Sequence, residues 1–144
     1  DVIMDTYFGA AVNIQGATST LAQLAVMPAF RDDSFIGEYM KKYDARRRYA
    51  YKLFNDIPGV SMALPEAGFF VWIDVSALGD SSEITAYLAE EALVSLNDGK
   101  FYGEMGAGHL RLISGCFYED KDSFAAMDRM AAAFRKLAER KGLA

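Results

Sequence analysis

The chain has 144 residues, 52% hydrophobic and 24% charged, with a net charge of −5. This suits one globular domain with a sizeable core, and the acidic balance argues against nucleic acid, whose phosphates call for excess Lys and Arg. A single cysteine, Cys116, excludes an internal disulfide and suits a reducing compartment. No apolar stretch approaches the roughly 20 residues of a membrane span, and residues 1–5 lack the basic start of a signal peptide.

In chain order, residues 1–15 have weak periodicity and read as an irregular connecting segment. Thr18 and Ser19 can cap a short helix through Leu21, Leu24 and Ala25 that Pro28 limits or kinks. Asp32 and Asp33 offer caps for a long helix whose apolar positions, from Ile36 to Ile57, fall at three- and four-residue steps until Pro58-Gly59. Val60–Leu64 reads as a short strand and Phe69–Val75 as a near-continuous apolar strand, hence a central one; with the turn 65–68 they suggest a hairpin. Asp80 or Ser81 caps a third helix, with Glu83 placed for a capping box.

Leu93–Leu96 reads as a further strand, Asn97-Asp98-Gly99 as a turn, Gly99–Gly108 as a glycine-dotted mobile loop and His109–Ile113 as the last strand. The final helix spans about 120–141. Acids lie at its start and bases at its end, and Gly142 stops it. Helices segregated from a small, mostly antiparallel sheet make the fold α+β.

Most candidates for chemistry have a plainer reading. Arg46-Arg47-Arg48 point about 100° apart on a helix, so they form no single phosphate patch. With Asp44 set against Arg48 and Glu38 against Lys42, a solvated face is expected. His109 is the only histidine; without a Gly-x-Ser-x-Gly elbow or a cysteine pair it reads as structural or solvent-facing. Cys116 reads as a buried or semi-buried thiol. Gly103, Gly106 and Gly108 have the wrong order for a dinucleotide loop. Lys100, beside Asp98 in a polar turn, lacks the desolvation a Schiff-base lysine needs. Arg111 is the strongest candidate. It lies in a short apolar strand, shares a face with His109 and Ile113, and carries a fork suited to a carboxylate; a surface ion pair on an edge strand is the alternative.

Together the segments resemble the C-terminal small domain of class I/II aminotransferases, the pyridoxal 5'-phosphate (PLP) enzymes of the aspartate-aminotransferase fold. Residues 67–74 resemble the family's Gly-Phe-Tyr-Leu-Trp strand, 93–103 its strand, glycine turn and Phe-Gly loop, 106–112 its Gly-x-Gly-(aromatic)-(apolar)-Arg motif, and 18–25 the helix start that opens this half of the fold. Ala67 replaces a common glycine, and His109 stands where an aromatic is frequent.

The resemblance divides the chain into a connecting segment, 1–15, and the small domain, 16–144. It implies that Arg111 binds the substrate α-carboxylate and that this chain carries no catalytic residue and no metal. The Schiff-base lysine and the PLP grip would belong to a large domain upstream, consistent with a chain that opens on Asp1 rather than Met; alone, the piece is expected to be inactive and to hold no cofactor tightly. The implied parent is a cytoplasmic homodimer that moves an amino group between an amino acid and a 2-oxo acid, with no nucleic-acid or membrane partner. The stretch 97–103, with Pro65-Glu66-Ala67 upstream, also resembles cystathionine β-lyase-type C–S lyases. A free-standing, non-catalytic domain that binds carboxylates or a protein is the third reading. An excised small domain is expected to expose an apolar patch and to self-associate.

Overall fold

In a computed structural model the described residues are 1–143. They form two compact units, residues 1–38 and the chain from Tyr39 onward.

In the first unit α1 (Val2–Gln15) starts at Asp1, whose carboxylate accepts the Ile3 N–H at 3.1 Å. Residues 1–15, expected to be irregular, are therefore largely helical. Their weak periodicity has a physical cause: Val2, Ile3, Met4, Tyr7, Phe8, Val12 and Ile14 spread around the helix instead of forming one stripe. Helix α2 (Thr20–Arg31) starts at Ser19, whose Oγ accepts the Ala22 N–H, and it runs through Pro28 rather than stopping there. No residue of α1 or α2 is buried. The division between units falls inside α3 (Ile36–Asn55).

The second unit is α+β, as expected. Strands β1 (Phe70–Asp74), β2 (Asn97–Asp98) and β3 (His109–Ile113) form an antiparallel sheet in the order β1-β3-β2. The central strand is thus β3, not the 69–75 segment, and Arg111 does not lie on an edge. Along β3, Leu110 and Leu112 turn inward while His109, Arg111 and Ile113 stay half-exposed. The inner face, with Val71 and Ile73 from β1, joins one core with Phe54 of α3, Leu88 of α4 (Ser81–Glu91) and Met130 and Phe134 of α5 (Asp120–Arg140). Phe54 and Phe134 meet edge to face at 5.8 Å. Each such fully buried side chain contributes about 1.5–3 kcal/mol.

Two expected strands differ. Residues 60–64 make only one bridge, Ser61 to Asp74, because the Asn55 side chain takes both the N–H and the C=O of Met62, at 2.9 and 3.0 Å. Residues 93–96 are not a strand either. Leu93 adopts φ 54°, Val94 N–H turns back to Leu88 O, and the strand pairing begins at Asn97, where a turn was expected. Gly99 and Gly106 pack back to back so closely that a Cβ on either would enter the other's backbone. The glycine segment is therefore two short 3-10 turns, 99–102 and 104–106. No helix among the described residues is long and apolar enough to cross a membrane.

The solvated face expected for 46–48 holds only for Arg48, whose Nε donates to Asp44 Oδ2 at 2.8 Å. Arg46 and Arg47 are buried, because α3 turns that side toward the sheet end and the loop after β3. Cys116, expected to be buried or semi-buried, is exposed in that loop.

Candidate functional site

The outer face of the sheet gathers Arg111 with aromatic side chains. Antiparallel register sets Trp72 opposite Arg111 and Phe70 opposite Ile113, and period-two alternation turns all of these to one side. The Arg111 guanidinium carbon lies 3.7 Å from the Phe70 ring centroid and 5.1 Å from that of Tyr102. Its Nη1 donates to Tyr102 Oη at 2.6 Å. Trp72 meets Tyr102 edge to face at 5.7 Å and stacks on His109 at 5.5 Å. Among the described residues no carboxylate lies within 4.0 Å of this guanidinium, which excludes the expected alternative of a surface ion pair. A fixed fork with open donors, stacked on one ring and tied to a phenol, is ready to take a planar carboxylate by two parallel bonds.

Arg111 stands out in the sequence as a charge inside an apolar strand, whereas nothing there marks Phe70 or Tyr102 as its partners. Tyr102 comes nine residues earlier, on the 3-10 turn 99–102. Asp98 fixes that turn: nearly fully buried, it accepts Ser81 Oγ at 2.7 Å, Ser82 Oγ at 2.5 Å and the Lys100 N–H at 3.0 Å. Burial pushes its carboxyl pKa up, but these donors together outweigh burial and leave it lowered.

His109 is half-exposed, as expected. Its Nδ1 lies 3.0 Å from Ala107 O and its Nε2 4.0 Å from Asp74 Oδ2. The Asp74 carboxyl is held low chiefly by its bond from Ser76, against some burial. Lys100 has its own partners: its Nζ donates to Asp80 Oδ2 at 2.5 Å and to Ser82 Oγ at 3.0 Å, and the bond to Asp80 raises its pKa. A lysine that forms a Schiff base needs the opposite shift. β2 pairs only Asn97 and Asp98 with β3, so a cleft of about 190 Å³ opens beyond them, lined by Leu96, Arg111, Ile113, Cys116, Met127 and Met130 among others.

The pattern of the family "Aminotransferase class I and II" matches residues 8–127. The aspartate aminotransferase of Pyrococcus abyssi is 30% identical over 121 residues, covering 81% of this chain and 30% of the relative. The cystathionine beta-lyase PatB of Bacillus subtilis is 37% identical over 65 residues, 44% of this chain and 17% of the relative. The crystal structure of an aromatic aminotransferase from Pyrococcus horikoshii shares the fold with a TM-score of 0.75 at 23% identity, over 92% of this chain and 35% of that one. This chain spans less than a third of the length of these curated relatives. Proteins of this fold include ones that contain PLP. On the strength of a match over most of its length, the chain belongs to the class I and II aminotransferase family.

Proposed function

We propose that the chain is the small domain of a PLP-dependent aminotransferase and that Arg111 grips the α-carboxylate of the amino acid or 2-oxo acid. The observation that carries this is the Arg111 guanidinium, stacked on Phe70, bonded to Tyr102 and facing no carboxylate among the described residues.

Lys100 does not fit a covalent anchor for PLP, because its partnership with Asp80 holds it charged. The resemblance to the family assigns anchoring and gripping the cofactor to a large domain, and this chain alone is expected to be inactive. PLP bound there supplies the electron sink for bonds broken at the substrate Cα. This chain's residues bind and orient: Arg111 fixes the carboxylate, Tyr102 and Phe70 hold the guanidinium, and Trp72 excludes water from one side. Helices α1 and α2, with no buried residue, supply the apolar surface on which the large domain packs. The parent is expected to be a homodimer in the cytoplasm; the single cysteine suits a reducing compartment.

In a full-length protein containing this chain, amino transfer from an amino acid to a 2-oxo acid is the expected activity, and Arg111→Ala lowers kcat/KM about 100-fold or more, the scale of a lost bidentate charged contact. Transfer at an undiminished rate in that variant overturns the role of Arg111. The similarity to PatB favours one second reading, a C–S lyase with the same carboxylate grip. Release of pyruvate and ammonia from cystathionine, without amino transfer, would decide for it.

A further inference from the structure

Helix α3 presents two buried guanidiniums to the end of the sheet that carries Arg111. Arg46, 1% exposed, donates four bonds: Nε to Asp120 Oδ1 at 2.7 Å, Nη1 to Ser114 O at 2.8 Å and to Phe117 O at 2.9 Å, and Nη2 to Tyr118 O at 3.2 Å. Three of these acceptors are backbone carbonyls of the loop that leaves β3 and enters α5. Arg47 Nη1 reaches Gly68 O, on the chain entering β1, at 3.2 Å, but its Nε has no partner, so its hold is less complete.

Gly68 and Ser114 belong to the same end of the β1–β3 ladder. The Ser114 N–H and Oγ both donate to Phe69 O, at 2.8 and 2.9 Å, and the next residue, Phe70, pairs with Ile113 while its ring lies beneath Arg111. The loop is also pressed against α3: a Cβ on Gly115 would come within 3.3 Å of Tyr43 Cε1. A chain of direct contacts thus runs from Arg46 through Ser114 and Phe69 to the ring that supports Arg111.

A buried guanidinium is tolerated only where its donors are met. Its planar fork fixes several acceptors at once, which a lysine ammonium, a point charge on a flexible stem, does not do. We propose, resting on the assignment of Arg111 above, that Arg46 is a positioning residue of the carboxylate site: it touches no substrate, and it holds the 114–118 loop and the Phe69–Phe70 end of β1 so that the ring stays under the Arg111 fork.

The test is NMR of the 144-residue chain, reading the side-chain resonances of Arg111, which the Phe70 ring at 3.7 Å displaces upfield. In Arg46→Lys the Arg111 resonances are expected to move toward their positions in Phe70→Leu, amides 115–118 to lose at least roughly tenfold in exchange protection, and the affinity for pyruvate to fall by about tenfold. Tyr49→Phe, which cuts the Tyr49–Asp128 bond elsewhere on α3, should leave Arg111 in place. Asp120→Ala, which removes the acceptor of the Arg46 Nε, is a milder change to the same fork and should move Arg111 in the same direction even if Arg46→Lys does not fold. Arg111 resonances unmoved in Asp120→Ala, or in a folded Arg46→Lys, overturn the positioning role. A wild-type Arg111 that ignores pyruvate, while still shifting in the Arg46 variant, overturns instead the carboxylate reading on which the proposal rests.

Discussion

The Arg111 guanidinium and the Phe70 ring, 3.7 Å apart, are diagonal neighbours across β1 and β3: Phe70 pairs with Ile113, and Trp72 stands directly opposite Arg111. Diagonal neighbours on one sheet face are within reach of long and aromatic side chains, so the register itself places the ring under the cation. Phe70→Leu keeps apolar bulk and removes the ring face. Loss of about 1 kcal/mol of cation–π attraction predicts roughly fivefold weaker pyruvate binding. Trp72, the only tryptophan, gives the fluorescence readout, and unchanged affinity would show that the ring does not contribute.

The turn that carries Tyr102 depends on two glycines in backbone contact. Gly106→Ala puts a Cβ into the backbone of Gly99, and a forced shift of that kind costs about 1–3 kcal/mol. The expected outcome is a lower urea midpoint together with weaker pyruvate binding, because the Tyr102–Arg111 bond moves with the turn. Tyr102→Phe should weaken binding without the loss of stability. A Gly106→Ala protein as stable as the wild type would contradict the close approach.

Asp98 ties the same turn to the start of α4. Its pKa is lowered in the fold, so the stabilisation it provides is fully present above the unfolded carboxylate value, about 4, and is lost as pH falls through the lower folded value. Asp44, Asp74 and Asp80 shift the same way, each held down chiefly by a hydrogen-bonding partner. Wild-type stability should therefore fall as pH drops below about 4. Asp98→Asn, measured by urea unfolding across that range, should be less stable at pH 7 and less sensitive to acid. A parallel pair of pH profiles would remove Asp98 from the account.

Helices α1 and α2 leave large apolar side chains in solvent, Phe30 at 86% and Phe8 at 69% exposure. Patches of that kind mark association surfaces. Light scattering of the chain should show mass rising with concentration, and Phe30→Glu should reduce the rise. A monomer at all concentrations would contradict this reading of the two helices.

Much of the second unit was legible because its signals are local. Asp80 ahead of an apolar helical pattern, the stripe of α5 and the alternation of His109–Ile113 each specify an element from neighbouring residues alone. Arg111 stood out as a charge inside an apolar strand. What escaped depends on distant partners. Nothing within 60–64 says that Asn55 captures Met62. Nothing near Arg46 says that carbonyls more than sixty residues away meet its fork, so a helical triplet of arginines looked solvated when two of the three are buried. Tyr102 was visible as part of a loop, but its bond to Arg111 follows only from the folding of two 3-10 turns around Gly99 and Gly106. A free cysteine is ordinarily buried or semi-buried, whereas the loop that Arg46 grips by its carbonyls turns the Cys116 thiol outward.

The most direct test of the carboxylate grip is a calorimetric titration of the 144-residue chain with pyruvate at pH 7, wild type beside Arg111→Lys. The lysine keeps the charge but loses the planar fork. Saturable one-site binding is expected in the wild type, weakened about tenfold or more in the variant. Saturable binding of equal strength in both would contradict it, because the carboxylate would then be held somewhere other than Arg111.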